Sequence, residues 1–226
     1  MLPHLVVFDF DGTLADTRNG VSQTMNHVLR EAGLPRVDPS FIWGLMGLPL
    51  ATLIARLIPP TYDASVDALV HAYREAFPTH GEPVIRAFPE VDAVLDELAK
   101  DGFVLAVATS RARYSVQRLL DQLDLSSRFA TVGAGDDPVP GKPAPDLLLS
   151  VLSTLGVPPS RALMVGDTTY DLDMARAADV YAVGVAQGCH DATRLQRSSP
   201  EALLENLNQL PETARQHRAA YARQSG

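Results

Sequence analysis

The sequence predicts an α/β fold: a parallel sheet covered by helices on both faces, with an all-helical unit inserted near its start. Three observations carry this. A short, continuous, β-branched apolar run, Leu5-Val6-Val7-Phe8, stops at Asp9, the pattern of a strand buried on both faces. Helical periodicity then holds as far as Phe77 with no strand-like run inside it. From Phe88 onward helical and strand patterns alternate, as βα units of a parallel sheet do.

The first strand runs into Asp9-Phe10-Asp11-Gly12-Thr13-Leu14. Side chains alternate along a strand, so Asp9 and Asp11 project to one side, and Gly12 permits a tight turn. Two carboxylates at the end of a buried strand repel each other and lose solvation, which calls for a counter-charge. Mg2+ meets that need, since it takes oxygen ligands and is held by one or two carboxylates with substrate phosphate and water. The alternative is a solvated Asp/Gly turn.

Behind this strand, Val21, Met25, Val28 and Leu29 recur at helical spacing between Asp16 and the stop signal of Gly33 and Pro35. Further helices are expected over 39–57 and 64–77, with Pro59-Pro60 and Pro78 as breaks. Then come a helix over 89–100, a strand over Phe103–Ala108, a helix over 112–123 and a short strand over 129–133. A helix over 144–155, a strand over 162–165, a helix over 170–178 and a strand over 181–185 follow. A helix over 200–210 is expected to close the core. The stretch 215–226, with Arg215, Arg218 and Arg223 but no firm apolar stripe, reads as a frayed helix or tail.

At 226 residues, 46% of them hydrophobic and 20% charged, the chain suits an ordinary globular protein with a sizeable core. Its 27 acidic against 19 basic residues, net charge −8, argue against a nucleic-acid partner, which would need clustered Lys and Arg. Cys189 is the one cysteine, so no internal disulfide forms, and it reads as a small packed side chain. With neither a secretory leader pattern nor an apolar stretch long enough to span a bilayer, a cytoplasmic protein with no membrane partner is expected. Oligomeric state is not encoded in any pattern here.

Open parallel sheets bind ligands beyond the carboxyl ends of their strands. There the sequence places Asp9 and Asp11 on the first strand, Thr109 and Ser110 on the second, Lys142 in the loop after the third, and Gly166-Asp167 on the fourth. Asp171 lies one helical turn beyond Asp167. Singly, Thr109 and Ser110 could cap the next helix, Thr168 and Asp171 could form a capping box, and Lys142 could be solvated. Jointly they are a set suited to a phosphate and its metal.

These motifs resemble those of the haloacid dehalogenase superfamily. Asp9-Phe10-Asp11-Gly12-Thr13-Leu14 looks like its first motif, Thr109 its second, Lys142 in Gly141-Lys142-Pro143 its third, and Gly166-Asp167 through Asp171 its fourth. The match spans nearly the whole chain and implies a Rossmann-like core (1–15 and 87–226) with a helical cap domain (16–86) of the type found in phosphoglycolate phosphatases. The resemblance implies that Asp9 is the nucleophile, Asp11 the general acid and base, Thr109 a phosphate-binding group and Lys142 a charge neutraliser. It further implies that Mg2+ is held by Asp9, the carbonyl of Asp11 and Asp167, with Asp171 as a ligand or its support. Gly12, Ser110 and Gly47 are carried over as phosphate or substrate contacts, Gly47 in a cap loop, Gly44-Leu45-Met46-Gly47-Leu48, that is equally well a helix break. Asp16-Thr17 and the 79–87 stretch would be the hinges. Arg18, Arg111 and Arg113 are candidates for an anionic substrate tail, and His190 for the same sheet edge.

The implied reaction is Mg2+-dependent hydrolysis of a small phosphorylated metabolite, such as 2-phosphoglycolate, through an aspartyl phosphate. Pyrophosphatase, a phosphosugar mutase of the beta-phosphoglucomutase type, and a regulatory or binding protein on the same scaffold are the alternatives. Phosphonatase is disfavoured, because its cap lysine has no counterpart between Asp16 and Arg86.

Overall fold

A computed structural model describes residues 3–224. The chain enters through β1 (His4–Phe8), turns, and forms a two-residue strand β2 (Ala15–Asp16) before four helices. These are α1 (Arg18–Glu31), α2 (Pro39–Trp43), α3 (Leu50–Leu57) and α4 (Val66–His80). The chain returns through β3 (Arg86–Ala87), which pairs antiparallel with β2, Ala15 opposite Ala87 and Asp16 opposite Arg86. The remainder alternates: α5 (Val91–Lys100), β4 (Phe103–Ala108), α6 (Arg113–Gln122), β5 (Thr131–Gly133) and α7 (Asp146–Leu155). Then follow β6 (Ala162–Gly166), α8 (Thr169–Ala177), β7 (Tyr181–Val185), α9 (Ala192–Gln196), β8 (Ala202–Leu204) and α10 (Leu210–Gln224).

Among the described residues the main sheet has six parallel strands in the order β5-β4-β1-β6-β7-β8. The chain fills one side of β1 with β4 and β5, then crosses to the other with β6. That reversal opens a crevice at the carboxyl ends of β1, β4 and β6, where a ligand can enter. The strands are buried on both faces with a period of two. Val6, Phe8, Leu105, Val107, Leu163 and Val165 pack with α5, α6 and α10. Leu5, Val7, Ala106, Ala108 and Met164 pack with α7 and α8 on the other face.

Four expectations are corrected. The segment 39–57 is two helices, because the chain turns at Gly44–Leu48, where Gly47 has φ +95°. Pro78 lies inside α4 without ending it: in the last turn it removes one backbone donor, and the Gly81 N–H still reaches the Phe77 carbonyl at 2.8 Å. The stretch 200–210 is no helix. Ala202-Leu203-Leu204 adds to the free edge of β7 instead, and α10 begins only at Leu210. Nor is the stretch from Arg215 a tail. As part of α10, Arg215 pairs with Glu97 on α5 and with Asp101 just beyond its end, and Arg218 lies over the Phe103 ring, while residues 225–226 fall outside the described residues. Helix α9, capped by the Asp191 side chain on the Arg194 N–H at 2.8 Å, was not anticipated by the pattern.

Candidate active site

Asp9 extends β1 by one residue, its N–H donating to the Val165 carbonyl of β6 at 2.9 Å, so its side chain is fixed by the sheet. Asp167 sits at the corresponding end of β6, and Asp171 one turn into α8. All three are buried, and each offers a carboxylate oxygen within 4.8 Å of the others. Lys142 arrives from the loop after β5, where Pro143 lies ahead of α7 and not in its first turn. Its side chain is fully buried, and Nζ donates to Asp9 Oδ1 at 2.7 Å and to Asp171 Oδ1 at 2.6 Å. A buried ammonium is tolerated only with such partners.

Asp171 is held from both sides. Its second oxygen accepts from the Thr168 N–H at 3.1 Å and the Thr168 hydroxyl at 2.7 Å, so the capping box is formed by the same carboxyl that meets Lys142. Asp167 accepts from the Thr13 hydroxyl at 3.1 Å and the Cys189 N–H at 2.6 Å. Thr109 is buried at the end of β4, its Oγ1 accepting from the Arg111 N–H at 3.2 Å. Neither Thr109 nor Ser110 caps α6, whose N-cap is Ala112. The Ser110 hydroxyl donates to the Gly47 carbonyl at 2.6 Å, tying the 44–48 loop to the sheet edge. That loop is thus both a helix break and a wall of the crevice.

Asp11 points away from the acidic cluster. Arg111 grips it with two bonds, Nη2 to Oδ1 at 2.5 Å and Nε to Oδ2 at 3.1 Å, and its guanidinium stacks 4.6 Å from the Phe77 ring of α4. Arg18 is paired with Asp16 at 2.7 Å and Arg113 with Asp137 at 2.6 Å. Of the three arginines Arg111 alone lines the cavity, where it holds a carboxylate, while Arg18 Nη1 donates to the Gly188 carbonyl beside Asp167 at 3.0 Å. His190 does lie at this edge: Nδ1 accepts from the Thr169 N–H at 3.0 Å, and Nε2 faces the Gly44 carbonyl at 3.3 Å. Burial, then Arg194, pushes this imidazole down to about 4, so it is neutral and bridges loop to helix.

Burial raises the Asp9 carboxyl well above the usual carboxylate range, with Lys142 pulling it back and Asp171 and Asp167 pushing it up further. Burial and Asp171 raise Asp167 to about 7. Lys142 goes the other way: burial disfavours its charge, yet Asp171 and Asp9 overcome that and raise it. Three carboxylates sharing one ammonium remain short of positive charge, and the donors are hard oxygens. A Cβ at Gly12 or at Gly188 would come within 2.1 Å of Asp167 Oδ2, so two glycines keep the space beside that oxygen clear. Donor type, charge and clearance all fit Mg2+.

In front of Asp9 and Asp11 lies a cavity of about 220 Å3, lined also by Gly47, Thr109, Ser110 and Arg111. Sequence reasoning missed Thr13 as a support of Asp167 and undervalued Arg111, whereas it did pair Thr168 with Asp171. Only the position of Thr13 inside the first motif hinted at its task. Cys189 keeps its structural reading, its thiol raised by burial and by Asp167 and its Sγ 3.6 Å from Met46 Sδ.

The comparisons agree with this geometry. Residues 6–185 match the model of the haloacid dehalogenase-like hydrolase family. A protein of Dickeya dadantii named "Probable phosphatase IndB" is 35% identical over 91% of this chain and 91% of its own. A phosphoglycolate phosphatase of Pseudomonas putida is 29% identical over 92% of this chain and 79% of its own. A solved structure of a hydrolase from Pseudomonas syringae, 26% identical, superposes with a TM-score of 0.82 over 93% of this chain and 98% of that one. The chain belongs to the haloacid dehalogenase-like hydrolases.

Proposed function

We propose that the chain is a phosphatase acting on small phosphomonoesters through an aspartyl phosphate on Asp9. The observation that carries this is Lys142, which spans from the nucleophile position to Asp171 inside a buried carboxylate cluster at the sheet edge. In this reading residues 1–15 and 87–226 form the catalytic core, and 16–86 form the cap that selects the leaving group. Asp9, Asp167 and the Asp11 carbonyl would hold Mg2+, with Asp171 supporting them and orienting Lys142. When bound, the ion neutralises phosphate charge and the carboxylates around it.

An Asp9 oxygen attacks phosphorus and the bond to the leaving oxygen breaks, while the Asp11 carboxylic acid donates its proton to that oxygen. The Asp11 carboxylate then takes a proton from water, whose oxygen attacks the same phosphorus, releasing phosphate and restoring Asp9. Lys142 and the Thr109 hydroxyl offset charge on the phosphoryl oxygens throughout, the kind of positioning that carries most of phosphoryl transfer. Donation in the first step requires the carboxyl to turn from Arg111 toward the cavity.

The test is metal-dependent phosphate release from p-nitrophenyl phosphate, with 2-phosphoglycolate as the reference metabolite suggested by the relatives' names. Asp9→Asn should abolish turnover. Unchanged turnover in that variant, or none in the wild type with Mg2+, would refute the reading.

A further inference from the structure

The leaving-group side of the cavity has its own chemistry. Its helical wall is built from Met46, Leu48, Leu53, Val70, Tyr73 and Phe77. The loop that bears Met46 and Leu48 is docked on the sheet edge, through Ser110 on the Gly47 carbonyl and through Arg194 Nη2 on the Gly44 carbonyl at 2.8 Å. The wall is therefore in place over the nucleophile.

Apart from the Tyr73 and Tyr114 hydroxyls and Arg74, the side chains facing that wall that could hydrogen-bond a leaving group are already engaged among the described residues. Arg111 is committed to Asp11, the Ser110 hydroxyl to Gly47, and Ser115 Oγ accepts from Arg111 Nη1 at 3.1 Å. The lining contains no Asn, Gln, His, Glu or Lys. Arg74, exposed at the rim, is the one guanidinium of the lining not already paired among the described residues. A glycolate carboxylate or sugar hydroxyls drawn under Leu53, Val70 and Phe77 would lose water and meet mostly apolar surface, with the Tyr73 hydroxyl and, at the exposed rim, Tyr114 and Arg74 as the replacements at hand. An apolar ring instead gains burial and aromatic contact with Tyr73 and Phe77. Size narrows the class further. A dry cavity of roughly 150 Å3 accommodates benzene, so about 220 Å3 admits one six-membered ring beside a phosphoryl group.

We propose that the preferred substrate is a phosphomonoester of a one-ring aryl or arylalkyl alcohol, ahead of 2-phosphoglycolate and sugar phosphates. This rests on the phosphatase reading above. The ring lies between Val70, Tyr73 and Phe77, and the ester oxygen faces Asp11.

The experiment compares benzyl phosphate, 2-phosphoglycolate and glucose 6-phosphate with the wild-type chain and Mg2+. All three leave through a primary alcohol oxygen, so the ranking reports on the wall and not on leaving-group reactivity. Benzyl phosphate should show at least a tenfold higher kcat/KM, most of it in KM. Val70→Lys, which places an ammonium on the wall, should lower kcat/KM for benzyl phosphate and raise it for 2-phosphoglycolate. Equal or better turnover of 2-phosphoglycolate or glucose 6-phosphate by the wild type overturns this substrate class and leaves the phosphatase standing. Hydrolysis of none of the three overturns this substrate class, and the phosphatase reading falls with it when p-nitrophenyl phosphate is not hydrolysed either. The wild-type ranking decides the matter even if Val70→Lys does not fold.

Discussion

Lys142 is the residue on which the site's electrostatics turn. It is the cation that Asp9 and Asp171 share, at 2.7 and 2.6 Å, in a place no water reaches. Lys142→Met keeps the length of the side chain and removes the charge. Its kcat should fall by about 10^2–10^3, the usual effect of losing one fixed positive or hydrogen-bonding group at a developing charge. Steady-state kinetics at saturating Mg2+ checks this. Asp167 supplies a second expectation. With its carboxyl raised to about 7 by burial and Asp171, the ion must displace a proton below that pH. Mg2+ affinity, read from the metal-induced rise in Tm, should therefore weaken by about tenfold or more per pH unit as the pH drops below 7, and Asp167→Asn should make that dependence shallower, the raised Asp9 carboxyl keeping the rest. That Asp9, Asp167 and Lys142 meet at one sheet edge was legible from the strand ends and the loop that carry them. The Arg111 grip on Asp11 was not, because the two are 100 positions apart and nothing local distinguishes Arg111 from a solvated arginine.

Among the elements, the loop between α2 and α3 is the most constrained. Gly47 combines φ +95° with a space so tight that a Cβ would sit 2.6 Å from Thr168 Oγ1, the hydroxyl that holds Asp171. Gly47→Ala should cost about 1–3 kcal/mol in urea unfolding, the range for a forced backbone conformation, and should lower kcat/KM as well. Helix α10 offers the complementary case. Leu210 is fully buried, whereas Arg215 is over a third exposed. Leu210→Ala should cost about 2–5 kcal/mol and Arg215→Ala far less, its exposed ion pairs being screened by solvent, both by urea denaturation. Comparable small losses would make α10 the frayed tail that its weak apolar stripe suggests. The sequence misled here for a physical reason: three apolar residues such as Ala202-Leu203-Leu204 fit a helix or a strand equally well. Only the free edge of β7 decides between them. The paired hinge strands β2 and β3 are shorter still and leave no periodicity to read.

At the scale of the molecule, the sheet order brings distant motifs to one rim. β1 lies between β4 and β6, so chain segments near positions 9, 109 and 167 end side by side, and the helices between β2 and β3 stand over them. The alternation of helix and strand foretold that sheet, because fully buried strands need unbroken apolar runs. The leaving-group wall was not foretold, since it depends on how α3 and α4 face the rim and not on any motif. The central claim is that Asp9 is phosphorylated during turnover. Rapid quenching of the enzyme with Mg2+ and a 32P-labelled phosphomonoester, followed by peptide mapping, tests it. Label on the peptide containing Asp9, absent in Asp9→Asn, is the predicted result. Turnover with no covalent label, or label that persists in Asp9→Asn, would contradict it.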